Sequence, residues 1–202
     1  MEGVGRLATY HAIAATSRAI VGLLDDACPK TEFEKADFEL YHASNFEKPM
    51  AEGISLLLYR VTVNSTLRNL PPRLTPDGTR YRPSLPLDLH YLLTAWAGDP
   101  DQQQRLLGWS IRTLEDTPIL PAAILNKYID RPYTFRSDEA VELICDPLPL
   151  QDLLSLWDKL KPKFQTSTAY VARMITIDSN LKITEADLVQ TRAYDLRKKE
   201  TG

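Results

Sequence analysis

The stretch Leu85-Pro-Leu-Asp-Leu-His-Tyr-Leu-Leu-Thr-Ala-Trp96 decides the fold. Leu85, Leu87, Leu89, Tyr91 and Leu93 alternate with Pro86, Asp88 and His90, the period of two that a strand with one buried face requires. Upstream, Ile54 to Val63 is rich in Leu and Val and apolar on both faces near its start, as in a strand buried on both sides. Only a Pro- and Arg-rich connection, Asn64 to Ser84, separates the two runs. It contains no helical pattern, so the two long strands most simply pair antiparallel.

The other segments group around that pair. Leu7 to Ala27 reads as a helix with Leu7, Tyr10, Ala14, Ser17, Val21 and Leu24 on its buried stripe, and Pro29 stops it. Phe38 to Ala43 is a short strand with Phe38, Leu40 and His42 on one side. Asp99 caps a helix that has Pro100 at its first position and Leu107, Ile111 and Leu114 on its buried side. Pro118 and Pro121 bracket a break, and Ala122 to Ile129 follows as a short helical turn. Glu139 to Cys145 is a strand. Leu150 to Leu160 is a helix with Leu150, Leu153, Leu154 and Trp157 on one stripe, ended by Pro162, and Thr168 to Ile177 is the last strand. Two helices among the last three strands indicate crossovers onto one mixed sheet. The fold class is therefore α/β (α+β), a mixed β-sheet with flanking helices. Residues 1–178 form its domain and 179–202 a C-terminal arm, with Leu181, Ile183, Leu188 and Val189 for apolar grip and Arg192, Arg197, Lys198 and Lys199 keeping its end soluble.

Composition excludes whole classes of function. The 202 residues carry 24 Lys+Arg and 27 Asp+Glu, a net charge of -3, with 44% hydrophobic residues. That is too apolar for a disordered chain and too balanced for a dedicated nucleic-acid or membrane-surface binder. Cys28 and Cys145 suit reduced, buried thiols rather than a disulfide scaffold. No signal peptide and no run of about 20 apolar residues is present, so cytoplasmic production is expected.

Chemistry-bearing patterns are lacking. His11, His42 and His90 have no metal-ligand spacing with one another or with a Cys. Ser84, Asp88 and His90 invite a hydrolase triad, but no nucleophile elbow accompanies them. Gly3 and Gly5 follow no strand, so they make no dinucleotide fingerprint. The sequence thus gives no catalytic residue, no cofactor site and no metal site.

Two features remain as candidates for contact. The 64–84 connection holds Arg68, Arg73, Arg80 and Arg82 against Asp77 alone. Such a loop is either a solvated stretch or a basic contact for an acidic protein surface. Trp109 points away from the buried stripe of its helix, so it is tucked under a loop or serves as an interface anchor.

Several blocks, in order, resemble one family. They are Ile54-Ser-Leu-Leu-Leu-Tyr-Arg-Val-Thr-Val-Asn64, Asn69-Leu-Pro-Pro-Arg73, Leu85 to Trp96, Leu106 to Leu120, and the run from Leu154 through Trp157, Pro162 and Phe164 to Tyr170. Together they are similar to the cap, or tail-terminator, proteins of extracellular contractile injection systems, such as the Photorhabdus virulence cassette and the antifeeding prophage. The resemblance implies a phage tail-terminator-like fold and a structural role without enzymatic activity. It implies a homohexameric ring that ends the inner tube and sheath distal to the baseplate and limits their length. The partners implied are further copies of the chain, the inner tube protein and the sheath protein, with no nucleic acid and no membrane. Assembly would be cytoplasmic, in a particle released by lysis. Sheaths of this kind exchange terminal strands, so pairing between the last sheath ring and a cap edge strand or the C-terminal arm is a further implication. The alternative is a sheath or tube assembly factor absent from the mature particle.

Overall fold

A computed structural model describes residues 10–129, 134–160 and 163–183. Six strands make one sheet in the order β1-β2-β5-β8-β7-β6. They are β1 (Asp37–Tyr41), β2 (Gly53–Val63), β5 (Leu85–Trp96), β6 (Ile119–Pro121), β7 (Ala140–Cys145) and β8 (Ser167–Ile177). The helices are α1 (Ala12–Ala27), α2 (Pro100–Glu115), α3 (Ala122–Leu125) and α4 (Leu150–Leu160), with a 3-10 turn at Ala43–Glu47. Two short strands, β3 (Arg73–Leu74) and β4 (Arg80–Tyr81), form a separate hairpin.

The expected antiparallel pair, β2 with β5, lies inside the sheet, with Leu57 opposite Leu92 and Val61 opposite Leu89. The sheet is mixed because β1 runs parallel to β2. Every other neighbouring pair is antiparallel, including β7 with β8, so α4 joins two adjacent antiparallel strands instead of crossing between parallel ones. β6 occupies the break expected between Pro118 and Pro121 and closes the far edge against β7. Two bulges, between Leu58 and Arg60 on β2 and opposite Asp88 on β8, increase the local twist. Met174 takes φ 67° at the second bulge, a left-handed conformation that costs a side-chain-bearing residue free energy.

Layers cover both faces at one end of the sheet. On one face, α1, α2 and α3 pack over Ile54, Leu56, Leu89, Tyr91 and Leu93. On the other, the 3-10 turn and α4 enclose an aromatic cluster of Tyr41, Phe46, Trp96 and Trp157 with Leu57 and Leu92. Trp157 meets Phe46 edge-on at 5.7 Å, and the Trp96 indole donates to Ser55 Oγ at 2.8 Å. The expectation of one buried face for β5 is thus corrected. From Tyr91 to Trp96 every residue is buried, because a central strand is covered on both sides where both helical layers reach it.

The helices form where expected, but two are rolled relative to the expected stripes. On α1 the buried face is Ala12, Ala15, Thr16, Ser17, Ala19, Ile20 and Leu24, while Tyr10 and Ala14 are exposed; Leu7 lies outside the described residues. Small residues let the helix lie close to the sheet, where Ser17 Oγ meets Tyr91 Oη at 2.8 Å. Gly22 serves the same closeness toward the turn that follows α3, since a Cβ there would run into the Tyr128 ring. On α4, Trp157 and Leu160 are buried and Leu153 and Leu156 partly so, whereas Leu150 and Leu154 are exposed. The helix rolls toward the aromatic cluster because that is where the sheet presents apolar surface. α2 follows expectation more closely, with Asp99 accepting from the Gln102 backbone N–H at 2.9 Å and Leu106, Leu107, Ser110 and Leu114 buried.

Candidate functional site: a basic three-stranded platform

The 64–84 connection is structured. Thr75-Pro-Asp-Gly-Thr79 is a turn of the Pro-Asp-Gly kind, with Gly78 at φ 81°. Asp77 accepts from the Thr75 hydroxyl, the Thr79 hydroxyl at 3.0 Å and the Thr79 backbone N–H at 3.2 Å. Those donors hold its carboxyl below the ordinary aspartate value, the Thr75 hydroxyl bond first. The turn brings Arg73 opposite Tyr81 and Leu74 opposite Arg80. Asn64 anchors the segment's start: its side-chain N–H donates to Asp88, and its Oδ1 accepts from the Thr66 and Leu67 backbones.

A third strand comes from beyond β8. Tyr81 bridges Lys182, the Arg82 N–H donates to Leu181 O at 2.9 Å, and the Ile183 N–H donates to Arg80 O at 2.8 Å. The first residues of the expected arm therefore sit on the 64–84 segment. Leu188, Val189, Arg192, Arg197, Lys198 and Lys199 lie outside the described residues.

Alternation along these strands separates two faces. Leu74, Arg80, Arg82, Leu181 and Ile183 share one face, and Arg73 and Tyr81 share the other. The inward face is anchored on Asp178, whose side chain is fully buried. It accepts from the Ser84 hydroxyl and from Arg136 Nη1 at 3.0 Å, and lies 3.8 Å from Arg73 Nε. Arg73 stacks over the Tyr81 ring at 4.5 Å, and only 18% of its side chain is exposed. Arg136 also pairs with Glu139 at 2.9 Å. Burial pushes the Glu139 carboxyl above the ordinary glutamate value, against the Arg136 backbone bond that favours its charged form.

The four loop arginines therefore divide. Arg73 is turned inward to Asp178 and Tyr81, while Arg68, Arg80 and Arg82 are exposed. Trp109 stands far from them on α2, half-buried against Phe33 at 6.0 Å and edge-on to Phe38 at 5.9 Å. The structure does not gather it with the arginines. Asp178, Arg136 and Tyr81 escaped the sequence reading because they lie in three separate segments. Only the Pro-Asp-Gly turn carried a local signal for the hairpin.

The polar residues of the imagined triad go to separate partners. Ser84 bonds Asp178, Asp88 bonds Asn64, and His90 Nε2 bonds Thr62 Oγ1 at 3.1 Å. Among the described residues no group of three or more His, Cys, Asp or Glu side chains is placed to hold a metal ion. Cys28 and Cys145 are free thiols. No described helix is long and apolar enough to cross a membrane.

This curled mixed sheet with its flanking helices is the fold of tube and sheath terminators. One solved structure of that kind is the PVC sheath/tube terminator of an extracellular contractile injection system in its extended state. It matches with a TM-score of 0.58 and 15% identity, over 94% of this chain and 64% of that one. Another is the tube-terminating cap of the anti-feeding prophage, with a TM-score of 0.54 and 15% identity, over 92% of this chain and 60% of that one. The chain thus spans somewhat under two thirds of the length of both. The family model described as the Pvc16 N-terminal domain matches residues 15–191, and the chain belongs to that family. No curated protein matches it significantly in sequence.

Proposed function

We propose that this chain is a cap that terminates the inner tube and sheath of a phage-tail-like contractile injection particle. Membership of the Pvc16 N-terminal domain family carries the proposal. The cap is a structural protein, not an enzyme. It works as a homohexameric ring at the end distal to the baseplate and limits length by refusing the next ring of tube and sheath subunits. Its partners are other copies of itself, the inner tube protein and the sheath protein. Assembly is cytoplasmic, and the particle leaves the cell on lysis.

Within this role residues 1–178 are the cap domain and 179–202 the arm. Arg68, Arg80 and Arg82 face acidic protein groups, where exposed charges mainly govern encounter rate and salt dependence. Arg73 and Trp109 serve contact indirectly, by holding the platform and the β1 side in shape. Pairing with the last sheath ring uses an edge strand or the arm, and β6, with Ile119 exposed, supplies one such edge. Particles carrying a peptide-tagged chain test the proposal by immunogold labelling. Label at one particle end, opposite the baseplate, is the expected result. Label along the whole sheath, or on no particle, would refute it.

A further inference from the structure

We infer that the outward face of the three-stranded platform docks on the β1 edge of a second copy of this chain. The inference rests on the ring reading above and supplies the two faces that such a ring needs. The platform face joins exposed apolar side chains, Leu74 at 67% and Leu181 at 58%, to two exposed arginines, Arg80 and Arg82. Arg82 has no ion pair among the described residues. A charged and apolar sheet face of this kind calls for a surface that is acidic and partly apolar.

The β1 edge is such a surface. Its neighbouring acids are already taken: Asp25 by Lys30 at 3.0 Å, Asp26 by Lys127 at 2.5 Å and Glu32 by Arg105 at 3.0 Å. Glu34, Asp37 and Glu39 have no ion pair among the described residues, and Leu40 is exposed on the opposite face of the same edge strand. With Lys30 and Lys35 they border an open cleft of about 350 Å³ along the outer side of β1. β1 pairs on its inner side only, with Gly53 to Leu57, so its outer backbone edge is unpartnered within the sheet.

The two faces cannot meet within one copy. β1 lies beside the start of β2, and the platform follows its end. The 11 residues of β2 set them roughly 30 Å apart. Contact between them is therefore heterologous and joins one copy to the next, the arrangement from which closed rings are built.

Charge exchange tests the inference. One variant carries Arg80→Glu and Arg82→Glu, the other Asp37→Lys and Glu39→Lys, and circular dichroism with thermal melting checks that each is folded. Sedimentation follows self-association. The wild-type chain is expected to assemble. Each variant alone places like charges face to face and should associate at least about tenfold more weakly. An equimolar mixture of the two restores both contacts in alternation and should assemble again. Wild-type-like assembly of either variant, or a mixture no better than its parts, would overturn the inference and leave the cap reading standing. Rings that form normally from the arginine variant but no longer seat on tubes or sheaths would also overturn it, assigning the platform to the tube or sheath instead. A wild-type chain that stays monomeric would overturn both the docking and the ring.

Discussion

Replacing Asp178 by Asn should release the platform while leaving the sheet intact. The carboxylate is fully buried and holds three segments at once: Ser84 after the hairpin, Arg136 before β7, and Arg73 on β3. Removing one member of a buried ion pair costs about 3–5 kcal/mol, because the partner charge stays buried and uncompensated. Arg136 reduces that cost, since it is 40% exposed and already bonds Glu139. Arg73 does not: its Nε and Nη2 are buried without hydrogen-bond partners, so Asp178 and the Tyr81 ring are what compensate it. The lower end of the range, about 3 kcal/mol, is therefore expected. For a chain of this size that lowers Tm by roughly 6–12 °C. Urea unfolding followed by tryptophan fluorescence measures the loss, and amide hydrogen exchange locates it. The N–H groups of Arg82 and Ile183, which hold the third strand, should exchange faster, whereas those of the central β5 strand should not. A loss below about 1 kcal/mol, with both amides still protected, would refute the assignment of Asp178 as the anchor.

Other perturbations have equally definite outcomes. Gly22→Ala gains up to about 1 kcal/mol of helix propensity but drives a methyl into the Tyr128 ring, so a net loss of about 1–2 kcal/mol in chemical unfolding is expected, and a net gain would contradict the packing of α1 on that ring. Trp109→Ala removes the ring held between Phe33 and Phe38 and should cost about 2–4 kcal/mol in the same assay, with no loss meaning that the ring is a surface anchor only. The folded state binds the Glu139 proton more tightly than the unfolded state, so stability should fall as pH rises from the ordinary glutamate value through the raised one. Urea midpoints taken across that range should lose this slope in Glu139→Gln, and an unchanged slope would show that burial does not control the group. Changing Arg68, Arg80 and Arg82 together to Ala should weaken self-association of the purified chain, most at low salt, as scored by sedimentation, and unchanged association at low salt would count against a contact role for these arginines.

The elements that the sequence made legible are those with a long period and a local stop. β2 and β5 carry runs of 11 and 12 residues, and α2 carries Asp99 and Pro100 at its start. The roll of α1 was not legible, because an Ala-rich helix buries its smallest face when close approach matters more than apolar area, and that of α4 was not, because the aromatic cluster it turns toward is assembled from distant segments. β6 was hidden because its three residues include Pro121, a poor strand former tolerated at the sheet edge. The loop arginines were visible as a charge excess, but their division was not. It depends on Asp178, 105 positions beyond Arg73 in sequence, and on a third strand that arrives from the far end of β8.

Particle length in cells lacking this chain decides whether the chain ends the tube and sheath. Electron micrographs of particles purified from wild-type and deletion strains give the two length distributions. A cap that stops tube and sheath addition predicts a narrow wild-type distribution and, without the chain, tubes or sheaths of broad or aberrant length, with restoration when the chain is supplied again. Particles of normal and uniform length in the deletion strain would contradict the account.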